Sequence, residues 1–378
     1  MINTGGLPNT MPAGDVSSRL QSLDALRGFD MFWIISGEEI FTQLAKATHH
    51  PVLETMAVQL HHSEWNGFTF YDLIFPLFIF IAGVSMPFAY AKAAVVGKKK
   101  IYSSLVRRTL ILIVLGMVVN GLLHWEGYEN TRFASVLGRI GLSCFFAALI
   151  YLNCSLRMRI IWVGILLIGY WAAMMLIPVP GFGAGVLTPE GNFAGYFDRL
   201  FLPGHLYREV FDPEGLFSTV PAIGSALLGV LTGDFLKSCE WSRTKKGSYL
   251  ALAGVVSLIL GYAWGLIFPL NKHIWTSSFV LVTAGWSLLL LSFFYLVIDA
   301  AGWKKWSMPF VWIGTNAILI YMASHGIVNF KHTSQYLFGG LIKFTPEAFH
   351  EVWLWCGVLA IELAALYFLY RKRWFLKI

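Results

Sequence analysis

Runs of about twenty apolar residues, each closed by a short polar connection, recur along the chain; that is the length a helix needs to cross ~30 Å of hydrocarbon. The pattern is sharpest where His61-His62-Ser63-Glu64-Trp65-Asn66-Gly67 gives way within a few residues to Leu77-Phe78-Ile79-Phe80-Ile81-Ala82-Gly83-Val84. It predicts membrane helices over Ala25–Ala45, Phe70–Ala91, Ile101–Leu123, Phe133–Leu152, Ile160–Val179, Phe217–Leu236, Gly247–Phe268, Trp275–Val297, Pro309–Ile327 and Val352–Leu369. The expected fold class is an all-α integral membrane protein, a polytopic bundle of about ten transmembrane helices. Pro180–Leu216 exceeds the ~12–15 residues of an ordinary connection, so it should form a partly structured outer loop region. Residues 1–18, rich in Gly, Pro and Ser, are expected to be a disordered cytoplasmic N-terminus, and residues 19–378 a single transmembrane domain.

Composition agrees: 57% of residues are hydrophobic and 13% charged, with mean hydropathy +0.63. A soluble domain carries about 25% charged residues. The net charge of +7 does not point to nucleic acid, because Lys and Arg gather in every second connection: Lys98-Lys99-Lys100 with Arg107-Arg108, Arg157 and Arg159, Arg243 with Lys245-Lys246, Lys304-Lys305, and Arg371-Lys372-Arg373. That is the positive-inside pattern, and it puts those connections and both termini in the cytoplasm. His49, His50, His61, His62, His124, His205, His273, His332 and His350 fall on the opposite side, with His325 at a helix end there. The chemistry should open outward. Cys144, Cys154, Cys239 and Cys356 lie in or beside apolar runs and read as packing residues.

Ionisable residues inside spans are costly, at least ~2.5 kcal/mol each unless paired or hydrated, and so mark sites. Asp24, Arg27 and Asp30 follow one another at i, i+3, i+6 in the first helix, where Asp24 and Arg27 can pair across one turn, and Glu38 and Glu39 come near its outer end. Asp72 enters the second helix, and Arg139 lies within two turns of the outer end of the fourth. Asp212-Pro213-Glu214 has the form of a helix cap, with carboxylates facing the histidine side. Lys272 opens the eighth span, and Asn316 and Tyr321 sit in the ninth, where a lone Asn also serves as interhelical glue. There is no phosphate-binding GxxxxGK[ST], no strand-linked GxGxxG and no HExxH, and no metal is expected. Imidazole, carboxylates and buried Arg remain, a set that can move a proton or an acyl group.

Several stretches resemble one family, the heparan-α-glucosaminide N-acetyltransferases within the wider transmembrane acyltransferases. They are Arg19-Leu20-Gln21-Ser22-Leu23-Asp24-Ala25-Leu26-Arg27-Gly28, His62 through Phe75-Pro76, Gly138-Arg139-Ile140, Ala194 through Leu200 (including Asp198), His205-Leu206-Tyr207, Asp212-Pro213-Glu214-Gly215 and Asn271-Lys272-His273-Ile274-Trp275. The resemblance implies a prokaryotic-type member without the lumenal extension of the animal enzymes, moving an acetyl group from cytoplasmic acetyl-CoA to an amino sugar or glycan on the outer side. It implies that His62 is catalytic, as base or acetyl carrier. The family places an asparagine where this sequence has Glu38, beside Gly37 and Glu39.

On that reading His62, Asp72 and Glu38 form the catalytic group. Arg27, Asp24, Arg139 and Asn66 serve acetyl-CoA, while Trp65, Asp198, Glu214, Lys272 and Asn316 face the acceptor. The expected partners are acetyl-CoA, the acceptor and the lipid bilayer, without nucleic acid, and with a homodimer as a candidate assembly. The expected location is a bacterial cytoplasmic (inner) membrane. A proton-coupled sugar transporter using Asp30, Asp72, Arg139 and Asn316 as a relay is the rival reading; a non-catalytic partner in envelope assembly is a third.

Overall fold

The structure is a computed structural model, and it describes residues 20–92, 97–124 and 127–376. The expected disordered segment 1–18 lies outside the described residues. Among the described residues the regular structure is helical, with two isolated bridges, Arg132 to Gly204 and Val179 to Gly183, in place of any sheet. In chain order the helices are α1 (Gln21–Phe32), α2 (Glu38–Thr48), α3 (Pro51–Gln59), α4 (Phe70–Ala89), α5 (Lys98–Val119), α6 (Val136–Asn153), α7 (Leu156–Leu176), α8 (Phe193–Phe201), α9 (Thr219–Ser238), α10 (Arg243–Gly265), α11 (Ser277–Phe294), α12 (Met308–Thr315), α13 (Ala317–Met322), α14 (Phe330–Ile342) and α15 (His350–Arg371).

Among the described residues eight helices are long and apolar enough to cross a bilayer, and a ninth span is completed by Lys305–Thr315 with Ala317–Ile327, which meet at 64°. These match nine of the ten expected stretches. The tenth, Ala25–Ala45, is a helical run interrupted by the π-turn Trp33–Gly37, and its charged residues keep it below the apolarity of the others. A protein with this many long apolar helices is an integral membrane protein.

Glycine decides where helices touch. Gly229-Val230-Leu231-Thr232-Gly233 presents two small residues on one face of α9, and a Cβ at Gly229 would fall 2.2 Å from the Phe80 carbonyl oxygen of α4. Gly83 returns the contact: its Cβ would stand 2.1 Å from the Ala226 carbonyl oxygen. Backbones that approach so closely gain dispersion contact without a hydrophobic driving force, as membrane interfaces require. The α4–α9 pair is thus the buried centre. By contrast α5, α7 and α10 turn Leu110, Val114, Ile161, Ile165, Ile168, Leu252 and Ile259 outward, as helices facing lipid do.

The connections sort to two ends. At one end the segments around His62, Arg132, Gly204, Asn271 and Glu214 are stitched together; at the other lie the basic clusters, where the Ser22 amide donates to Asp299 at 3.3 Å and Lys237 donates to the Pro87 carbonyl at 2.8 Å. The long connection before α9 is folded rather than loose. Asn192 caps α8 by accepting the Gly195 amide at 2.7 Å, and the buried Asp198 accepts the amides of Leu216 (2.8 Å) and Phe217 (3.3 Å).

One local expectation is corrected here. Asp212-Pro213-Glu214 does not cap a membrane helix: α9 begins only at Thr219, with Ser218 at its N-cap. Asp212 is committed elsewhere, to the Arg132 guanidinium (2.8 Å to Nε) and to the amides of Tyr207 (3.0 Å) and Glu214 (2.9 Å).

Candidate active site

The turn before α4 is built around one carboxylate. Asp72 has no exposed surface, and its Oδ2 takes the Ser63 amide (3.3 Å), the Ser63 hydroxyl (2.9 Å) and the Thr69 amide (3.2 Å). With Oδ2 satisfied, Oδ1 is left for the His62 Nδ1 at 2.8 Å. A carboxylate accepts only, so Nδ1 carries the hydrogen and the Nε2 lone pair faces the Lys272 ammonium, which lies 2.9 Å from Nε2 and 3.0 Å from Nδ1. The imidazole is 44% exposed and lies ring to ring against Tyr71 at 4.8 Å.

Lys272 comes from 210 residues further along the chain and puts its ammonium 2.9 Å from Nε2 and 3.8 Å from Asp72 Oδ1. The loop that carries it is braced inside and out. Asn271 accepts the Ile274 amide at 3.1 Å through Oδ1 and donates to Asn66 Oδ1 at 3.1 Å; the Gly67 amide donates to Leu270 at 2.9 Å; and Trp65 stacks on His273 with ring centroids 5.4 Å apart. Trp65 also donates its indole N–H to the Leu187 carbonyl at 2.8 Å, tying in the long connection. Trp275 turns the loop into α11 with φ of 51°, a left-handed conformation held by a fully buried indole. Burial pushes the Lys272 ammonium down to about 8, against the upward pull of Asp72, and burial also lowers His273.

Beneath this group lies a second layer. Arg132 bridges Asp212 and Glu214 and lies 4.5 Å from the Tyr207 ring centroid. Burial opposes the ionisation of Asp212, but the Arg132 hydrogen bond and charge, together with the Glu214 and Tyr207 amides, hold the carboxyl below its ordinary range; Asp198, by contrast, is pushed up to about 6 by its burial. Arg139 is fully buried, donates to the Gly215 carbonyl at 3.1 Å and to the Ser218 hydroxyl, and stands 5.0 Å from the Trp275 ring centroid. Its Nε and Nη1 have no hydrogen-bond partner among the described residues.

The candidate residues therefore fall into three places. His62, Asp72, Lys272, Asn66, Trp65, Glu214 and Arg139 gather at one end. Glu38 is close by, but it lies against His61 (3.6 Å) and the Tyr71 hydroxyl rather than against His62. Asp24 and Arg27 lie at the basic end, 3.6 Å apart, with Arg27 donating to Ser85 at 3.1 Å. The four residues assigned to acetyl-CoA are therefore split between the two ends. Asn316 sits at the 64° bend and holds the chain's last described turn, donating to the Trp374 carbonyl (3.1 Å) and accepting the Leu376 amide (3.0 Å). Asp198 is likewise occupied by backbone amides. Sequence reasoning passed over Arg132, Tyr71 and Glu362; for Glu362 the signal was present, a lone carboxylate in the apolar run Val352–Leu369.

Comparison with known proteins shows what the chain is similar to. A family model described as "Domain of unknown function (DUF5009)" matches residues 19–157, which hold Asp24, Arg27, Glu38, His62, Asp72 and Arg139. A heparan-alpha-glucosaminide N-acetyltransferase of Mus musculus is 30% identical over 377 aligned residues, covering 84% of this chain, and that of Homo sapiens is 28% identical over 98% of it. The chain is a homologue of these acetyltransferases. It spans 56% and 62% of the length of these two relatives.

Proposed function

We propose that the chain is a membrane-bound acetyltransferase that moves an acetyl group from acetyl-CoA at the cytoplasmic face to an amino sugar or glycan at the opposite face. The observation that carries this is the set of contacts around one imidazole: Nδ1 held by Asp72 at 2.8 Å, and Nε2 beside a lysine ammonium at 2.9 Å. The acceptor amine attacks the thioester carbonyl while Nε2 of His62 takes its proton. Asp72 stabilises the imidazolium and keeps the ring in the reactive tautomer. The oxyanion develops beside Lys272, whose charge is strengthened by its dry surroundings. Collapse forms the amide and breaks the C–S bond, and the His62 proton passes to the departing thiolate, giving CoA and the N-acetyl product. An acetyl group carried on Nε2 is the two-step variant of the same site.

Donor admission from the cytoplasm is supported by a cavity of about 540 Å³ at the basic end, lined by Asp24, Thr315, Arg371 and Arg373, since guanidinium groups suit phosphates. Clustering of the basic connections at that end supports the cytoplasmic orientation. Purified protein given labelled acetyl-CoA and a panel of amino sugars should yield N-acetyl products by mass spectrometry. His62→Ala should slow turnover by about 10²–10⁴-fold, the worth of a positioned base, and undiminished turnover would remove His62 from the mechanism.

The 64° break in the ninth span and the fully buried, unpartnered carboxylate of Asp30 favour a second reading, proton-coupled sugar transport. Uptake of labelled sugar into vesicles without acetylation would decide for it.

A further inference from the structure

Between the first helical run, α4 and α15, at the His62 end, lies a cavity of about 570 Å³ lined by Glu38, Glu39, Tyr71, His325, Trp355 and Glu362. A volume of that size admits a small sugar. Its character is set by Glu362. This residue sits in the middle of α15 with no exposed surface; its Oε2 accepts the Ser36 hydroxyl at 2.7 Å, and its Oε1 is buried with no hydrogen-bond partner among the described residues. An unmatched carboxyl oxygen in a membrane helix is costly to maintain unless a donor arrives. The indole N–H of Trp355 is also buried without a hydrogen bond. Two π-turns border the cavity, Trp33–Gly37 supplying Ile34 and Ile35 and Ala323–Ile327 supplying His325. Lys331 stands at its edge, engaged with Glu351 at 3.0 Å, so the charge facing inward is acidic.

We propose that this cavity is the acceptor site, and that it takes a primary ammonium on a small, otherwise uncharged sugar while turning away glycans that carry sulfate or carboxylate. The proposal rests on the reading of His62 as the reacting base, because Tyr71 lines the cavity and its ring lies 4.8 Å from the His62 ring, centroid to centroid. An ammonium brings donors to Glu362 Oε1 and to Glu38, and the Trp355 N–H is available to a ring hydroxyl. A sulfated or carboxylated sugar would set like charge against Glu38, Glu39 and Glu362 at once. Glu38 thus acquires a role suited to a carboxylate: it draws in the cationic amine, which releases one proton to the outer solvent and then attacks as the free base while His62 takes the second.

The test uses the full chain in lipid nanodiscs with labelled acetyl-CoA and two acceptors, glucosamine and glucosamine 6-sulfate. Glucosamine should be preferred by roughly 10–100-fold in kcat/KM, the worth of a charge-assisted contact. Glu362→Gln should raise the glucosamine KM by a similar factor, with kcat within about threefold, and should narrow the preference. Glu362→Asp should recover part of the loss, and Glu39→Gln, at the mouth, should narrow the preference in the same sense without touching the buried carboxyl. Equal use of the two sugars, or an unchanged KM in Glu362→Gln, overturns the proposal.

Binding titrations on His62→Ala separate this proposal from the mechanism. Glucosamine binding that survives in His62→Ala and disappears when Glu362→Gln is added upholds the cavity whatever the fate of the base. Binding indifferent to Glu362 removes the cavity and leaves His62 to be judged by turnover.

Discussion

Lys272 is the residue on which the pH behaviour should turn. Its ammonium titrates at about 8 because burial disfavours the charge more than Asp72 restores it. If the charged form stabilises the oxyanion, its contribution is fully present below that value and is lost as pH rises through it, giving an alkaline limb that approaches about tenfold per pH unit for the loss of one proton. Lys272→Arg keeps its charge across that range, so the alkaline limb should vanish while the rate is lowered by the altered geometry. Lys272→Ala should cost about 10²–10³-fold, the usual loss of an oxyanion donor. A limb that stays in place in Lys272→Arg belongs to another group. The sequence exposed this site unevenly. His62 and Asp72 are ten residues apart in one stretch, so a carboxylate at the helix entrance could be paired with the imidazole by inspection. Lys272 meets them across 210 residues, a distance that no local spacing reports: the sequence marked it as a cation at the mouth of the eighth span but not as a partner of His62. Glu38 was grouped with His62 because the resemblance places a site asparagine at its position, but the observed neighbour of Glu38 is His61.

At the scale of helices, the contacts that position the site are glycine contacts. α1 and α12 approach so closely that a Cβ at Gly28 would fall 1.7 Å from the Phe310 carbonyl oxygen, and one at Gly314 would fall 1.9 Å from that of Asp24. Gly28→Ala must push the two backbones apart, and overpacking of this kind costs about 1–3 kcal/mol. Thermal unfolding should therefore occur at a lower temperature, and acetyl transfer should weaken with it, because the same helical run carries Ser36 and Glu38 onward to the cavity. Gly164→Ala, where a Cβ meets nothing within 4 Å, is the matched control and should leave the melting temperature almost unchanged. Equal melting of the two variants would mean that the α1–α12 contact bears no strain. The spans themselves were legible because hydrophobic length is what a bilayer selects. The π-turn and the 64° bend were not, since hydropathy is indifferent to which carbonyl an amide chooses. Asp212-Pro213-Glu214 misled for a related reason: the sequence of a cap is the same whether its carboxylate finds the next amide or an arginine 80 residues away.

For the molecule as a whole, orientation is the property that separates donor from acceptor. Cys154 and Cys239 end α6 and α9 at the basic end and are free thiols. A membrane-impermeant maleimide should label them in inverted vesicles and not in intact cells, whereas Cys introduced at the exposed Glu129 should show the reverse. Labelling of Cys154 from outside would invert the scheme and place the acetyl acceptor in the cytoplasm.

His62 and Asp72 stand near the start of the chain, and the cation that completes their site arrives only with Lys272. During synthesis the ribosome must therefore thread most of the bundle into the bilayer before any reaction centre exists. On the proposed mechanism, a chain ended between Asp72 and Lys272 would keep the imidazole and its carboxylate and lack the cation that steadies the oxyanion.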